Sequence, residues 1–149
     1  MLLEKILTPQ RCYCQVTGVS KKRLLKTISE LIESNLKYLS ASDVFDALMA
    51  REQLGSTGLG GGVAIPHCRL GTCERIIGAL VTLDEAIDFD AVDSKPVDLL
   101  FFLIVPEEKT DEHLQALAQV AEMFNDENLC YILRHTFNSD DLYNVVVTY

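Results

Sequence analysis

A histidine, an arginine and a glycine loop stand close together between Arg51 and His67. Five of the eight glycines of the chain fall between Gly55 and Gly62: Gly55, Gly58, Gly60, Gly61 and Gly62. Glycine serves where φ must be positive or where backbone must approach a ligand closely. Ser56 and Thr57 add hydroxyls able to hydrogen-bond an anion, and N–H groups of such a loop can form an anion-binding nest. Val63 to Ile65 is long enough for a short buried strand. Pro66 lacks a ladder donor and pushes Ile65 into an extended conformation. His67 is therefore expected where a short strand breaks off beside the loop. An imidazole with an ordinary pKa of about 6.5 is largely neutral, and nucleophilic, near neutral pH. Together these parts suit acceptance of a phosphoryl group on a ring nitrogen.

Nucleotide motifs do not fit the loop. A Walker A sequence needs a lysine that is absent between Gly55 and Gly62, and Gly-x-Gly-x-x-Gly fails because Val63 and Ile65 stand where its third glycine belongs.

The elements that must position these residues are readable from periodicity. Residues 1 to 19 read as a packed N-terminal arm with one short helical turn. Ser20 caps an amphipathic helix over 21–38, with Leu24, Ile28, Leu31, Ile32, Leu36 and Leu39 at helical spacing. Its first turn carries Lys21, Lys22 and Arg23, which oppose the helix dipole. Ser40 or Ser42 caps a second helix over 43–53. There Val44, Leu48 and Arg51 share a face, so Arg51 serves either an anion or the carbonyls of the helix end. Ile76 to Leu83 and Val97 to Val105 are apolar runs that read as strands buried on both faces, with a short strand over Ala86 to Phe89 and a turn over Asp93 to Pro96. Thr110 caps a helix with Asp111 and Glu112 in its first turn, a buried stripe of Leu114, Leu117, Ala118, Ala121 and Phe124, and His113 beside that stripe. Two shorter helices follow, over 128–136 and 140–148. The expected fold is a single α/β domain over residues 1–149, a mixed, mainly buried sheet with helices on both faces.

Composition narrows the function. Hydrophobic residues make up 48% of the 149, which suits a globular domain. The net charge of −9 repels nucleic acid, and Lys21 to Arg23 is too small a patch to reverse that. No apolar run is long enough to span a membrane, and Met1 to Lys5 lacks a signal-peptide core, so a cytoplasmic location is expected. The five cysteines are an odd count and read as free thiols in a reducing compartment. Neither Cys12-x-Cys14 nor Cys68-x4-Cys73 has zinc spacing, so no metal and no cofactor is expected.

The run Arg-Glu-x-Leu-Gly-Ser-Thr-Gly-Leu-Gly-x-Gly-Val-Ala-Ile-Pro-His, from Arg51 to His67, resembles the signature of enzyme IIA domains of the bacterial phosphotransferase system. The resemblance is to the mannitol/fructose superfamily, and within it to the nitrogen-regulatory branch. Ser20 to Arg23, Pro96 to Phe101, Val105-Pro106, His113-Leu114 and Leu117-Ala118 extend it over nearly the whole chain. The resemblance implies His67 as phosphoryl acceptor, with His113 and Arg51 in support. It implies a phosphate cradle at Ser56, Thr57, Gly58, Gly60 and Gly62, a phosphohistidine carrier protein as donor, and regulatory or transport proteins as targets. Those targets would act in nitrogen, potassium or stress control.

Bland readings compete at each residue. A lone histidine is more often structural than reactive, but the loop and Pro66 argue for a displayed ring. His135 has no motif around it and reads as a surface residue. Cys68 stands where glycine is frequent in the family; adjacent strand residues face opposite ways, so it does not pair with His67, and it reads as a packed thiol. Gly61 stands where some sugar-specific relatives carry a glutamate. Two alternatives remain: a fructose/mannitol-type IIA passing phosphate to a separate IIB protein, and a binding module with a vestigial site. Whether the chain is counted an enzyme depends on that choice, since a sugar-specific IIA is one component of a phosphotransferase.

Overall fold

Residues 97–106 are apolar almost without break, and they form the strand on which everything else is laid. The computed structural model describes residues 2–108 and 110–149; Met1, which begins the expected N-terminal arm, lies outside them. In chain order the elements are α1 (Leu2–Ile6), a 3-10 turn (Pro9–Arg11), β1 (Cys12–Val16), α2 (Lys21–Asn35), α3 (Ala41–Gln53), β2 (Gly58–Gly60) and β3 (Val63–Ala64). Then come β4 (His67–Leu70), β5 (Ile77–Ile87), β6 (Val97–Pro106), α4 (Asp111–Phe124), α5 (Glu127–Arg134) and α6 (Ser139–Val147).

The sheet has the order β1-β5-β6-β3-β2, with β4 also on β6. It is mixed: β5 runs antiparallel to β6, whereas β1 on β5, and β3 and β4 on β6, are parallel. Side chains alternate across β6. Leu99, Phe101, Leu103 and Val105 enter one core with α1, α4, α5 and α6, and Leu100, Phe102 and Ile104 enter the other with α2 and α3. Both faces of the sheet are thus covered, as continuous apolar strands require. The expected α/β class is the observed one.

Several local expectations are corrected. The N-terminal arm contains a strand, β1, with Cys12 and Tyr13 in register with Leu80 and Val81. Helix α2 ends at Asn35, three residues earlier than the periodicity suggested. The residues 86–87 belong to the end of β5 rather than to a separate strand, after a register shift beyond Thr82. In α4 the fully buried positions are Ala116, Val120, Met123 and Phe124. Leu114 is 61% exposed, so the stripe drawn through it was offset. Ser20 caps α2 through Arg23 N–H and Ser40 caps α3 through Asp43 N–H, but the Thr110 side chain makes no cap bond.

Candidate functional site

The strand expected to end before His67 is interrupted at Ile65–Pro66 and then resumes. Val63 and Ala64 pair with Leu99 and Leu100; His67 to Leu70 pair with Leu103 to Pro106 on the same edge of β6. Pro66 gives no ladder donor, but its carbonyl accepts from Leu103 N–H at 3.0 Å, which carries the register across the break. His67 is therefore the first residue of an edge strand, held from one side by β6 and flanked by α3.

A cavity of about 520 Å³ opens at this edge. His67 and Arg69 reach it from β4, Arg51 and Leu54 from the end of α3, and His113 and Leu114 from the first turn of α4. The three residues expected to do the chemistry, His67, Arg51 and His113, are brought to one cavity from three different elements, α4 joining from well beyond the other two in the chain. The other lining residues are mostly aliphatic, and Leu54 (84% exposed) and Leu114 stand at its mouth.

The His67 ring is half-buried, and its Nδ1 lies 2.8 Å from the Ile65 carbonyl oxygen. A carbonyl only accepts, so Nδ1 carries the proton and Nε2 keeps its lone pair. Burial pushes the His67 pKa below its ordinary 6.5. The Ile65 bond and the charge of Glu52 oppose that shift, while the Arg51 and Arg69 guanidiniums reinforce it. The ring is thus neutral at neutral pH. His113 Nδ1 is buried with no hydrogen-bond partner among the described residues.

Arg51 serves the helix end and also reaches the cavity. One guanidinium nitrogen donates to the Gly55 carbonyl at 2.9 Å, just past the helix end, and the side chain also lines the cavity.

The hydroxyls of Ser56 and Thr57 and the N–H groups of Thr57 and Gly58 are engaged within the protein rather than left open as the expected cradle would have them. The Thr57 hydroxyl is buried against the Glu52 carboxylate, and Thr57 N–H donates to the same group at 3.1 Å. The Ser56 hydroxyl donates to the Phe89 carbonyl at 2.6 Å and accepts from Gly58 N–H at 3.0 Å. Gly61 N–H is bound by Asp93. The hydroxyls and these N–H groups are spent on the loop's own architecture. Gly58, Gly60 and Gly62 are not among the cavity's lining residues. Their composition has steric reasons: a Cβ on Gly58 would lie 2.8 Å from that of Ala91, and Gly62, at φ +80°, would bring one within 2.7 Å of Arg134.

Two residues were missed. Glu52 was not singled out, yet it is buried, and Lys21 reaches it at 2.9 Å. This ion pair fastens the start of α2 to the end of α3 and to Thr57, and gives one of the three cations at the head of α2 a structural role. Arg69 lies two residues from His67 on a strand, and period-two alternation places both on one face. That signal was available in the sequence. Cys68, facing the opposite way, is buried among the α2–α3 core, and burial pushes its thiol up to about 12. His135 is exposed and stacked on Tyr131.

Comparison with known proteins gives a consistent picture. Residues 5–148 match the family model described as "Phosphoenolpyruvate-dependent sugar phosphotransferase system, EIIA 2". A nitrogen regulatory protein of Pseudomonas aeruginosa is 49% identical over 145 residues, which is 97% of this chain and 94% of that one. The crystal structure of the nitrogen regulatory protein IIA-Ntr from Neisseria meningitidis superposes with a TM-score of 0.92 at 39% identity, covering 98% of this chain and 99% of the other. The mannitol IIA of Escherichia coli shares the fold, with a TM-score of 0.77 at 19% identity over 94% of this chain and 98% of its own.

Proposed function

The chain belongs to the EIIA 2 family of the phosphoenolpyruvate-dependent sugar phosphotransferase system, and from that premise we propose that His67 Nε2 accepts a phosphoryl group from a phosphohistidine carrier protein. Its role in that system is regulatory, as a IIA protein of the nitrogen-regulatory kind. The observation that carries the acceptor assignment is the Nδ1–Ile65 bond, which leaves one nucleophilic nitrogen on a ring that lines an open cavity with Arg51 and His113.

The chemistry follows from the geometry. The Nε2 lone pair forms a new N–P bond while the donor's P–N bond breaks and its electron pair returns to the donor imidazole. His67 keeps its Nδ1 proton, and the Ile65 carbonyl stabilises the positive charge that builds on the ring. Phosphoryl transfer asks the protein mainly for alignment and charge stabilisation. Arg51 supplies charge, and His113 supplies a second imidazole to orient the group. Exposed Leu54 and Leu114 at the cavity mouth give the visiting carrier an apolar seat. The loop acts by fixing Arg51 through Gly55 rather than by holding phosphate in its own N–H groups.

The added phosphate carries a charge of about −1.5 to −2 and three acceptor oxygens, enough for a partner to bind one form and reject the other. The targets proposed are regulatory or transport proteins of nitrogen, potassium or stress control. No helix among the described residues is long and apolar enough to cross a membrane, and the five cysteines are free. Both support a cytoplasmic location.

Incubation with labelled phosphoenolpyruvate, enzyme I and the carrier tests the proposal. Acid-labile label is expected on the wild-type protein and none on His67→Ala. Undiminished label on that variant overturns the assignment.

A further inference from the structure

We infer that Arg69 is a second phosphoryl-binding residue, which stabilises the phosphorylated state of His67 and so sets the fraction of the protein that carries phosphate. This rests on the acceptor reading of His67 given above. His67 and Arg69 are alternate residues of β4, paired with Leu103 and Val105. Alternate residues of a strand point the same way, roughly 7 Å apart along it, which is within the reach of an arginine side chain. Both line the same cavity. The guanidinium is near enough to bear on the ring's protonation from the same direction as Arg51.

Arg69 differs from Arg51 in what it is bonded to. Arg51 is engaged by the Gly55 carbonyl, whereas Arg69 has no ion-pair partner among the described residues. An exposed guanidinium with its donors uncommitted suits a group that arrives only after transfer. Phosphate presents the acceptor geometry that arginine matches with paired N–H donors. A charge that favours phospho-His67 over His67 changes the equilibrium between carrier and acceptor. A charge that only aids docking of the carrier changes KM and leaves that equilibrium alone.

This distinction gives the test. The equilibrium constant for phosphoryl exchange between carrier and protein is measured for wild type, Arg69→Gln, Arg69→Lys and, as a remote control, Arg23→Gln. Arg69→Gln is expected to shift the equilibrium about threefold toward the carrier, the scale of an exposed charge pair. Arg69→Lys should retain most of the wild-type value, and Arg23→Gln all of it. In a second arm, potassium phosphoramidate phosphorylates the proteins without any carrier, and Arg69→Gln should shorten the lifetime of phospho-His67. An unchanged equilibrium with a raised KM would overturn the inference and make Arg69 a docking residue. Label from phosphoramidate but none from the carrier would overturn the donor assignment while the lifetime arm still decides the role of Arg69. No label on His67 from either source would remove both.

Discussion

His67 donates its Nδ1 proton to the carbonyl oxygen of Ile65, two residues earlier in the chain, at 2.8 Å. Pro66 lies between them in the chain. The bond selects one tautomer, and with it the nitrogen that keeps a free lone pair. The expected resting state is therefore the Nδ1–H form, with an unprotonated Nε2. Long-range proton–nitrogen NMR of the resting protein at neutral pH checks this; a dominant Nε2–H signal would contradict it.

His67 should titrate below its ordinary 6.5, chiefly because the ring is half out of water. The sign for stability follows. The unfolded chain takes up its proton at the higher pH, so between the two pKa values it holds more protons than the native protein. This residue's contribution to stability is intact above 6.5 and is lost as pH falls from there through the native pKa. NMR titration of the His67 ring measures the first effect, and urea midpoints of wild type against His67→Gln across that range measure the second. A native pKa at or above 6.5 would contradict the account.

The Lys21–Glu52 pair should matter to the fold more than an exposed ion pair does. Glu52 has a side chain 3% exposed and Lys21 one 17% exposed, at 2.9 Å. Glu52→Ala also removes the acceptor of Thr57 N–H and the Thr57 hydroxyl. The expected loss is about 2–3 kcal/mol, between an exposed pair and a fully buried one. Urea unfolding gives this figure, and a cycle with Lys21→Met should show coupling above about 0.5 kcal/mol. A loss below about 1 kcal/mol would place Glu52 among ordinary surface charges.

Cys68 should be inert although its neighbour is reactive. Burial holds its thiol near 12, as it does that of Cys12. Iodoacetamide acting on the native protein should modify half-exposed Cys14 first and leave Cys68 unmodified until the chain unfolds. Peptide mapping over a time course checks the order; early alkylation of Cys68 would contradict the burial argument.

The sequence was most informative where one residue type has few uses. The glycine cluster, Pro66 and His67 pointed to the candidate site, and the apolar runs located the two central strands. The parts that escaped depend on contacts between distant segments. Strand β1 is short and mixed in polarity, and its pairing with Leu80 and Val81 is not written in Cys12 to Val16. Glu52 looks like any acidic helix residue until Lys21, thirty-one positions earlier, folds over it. Leu114 fits a helical stripe by type, but the buried arc of α4 is set by the sheet beneath it, and Leu114 is left at the cavity mouth. Ser56 and Thr57 suit anions by chemistry alone; their partners, Phe89 and Glu52, turn them inward.

The central claim is that one nitrogen of one ring takes the phosphoryl group. Nitrogen-15 labelling of the histidines, phosphorylation through the carrier, and observation of the phosphorus–nitrogen coupling tests it directly. The account predicts coupling at Nε2 of His67 alone. Coupling at Nδ1 of His67, or at His113, would contradict it.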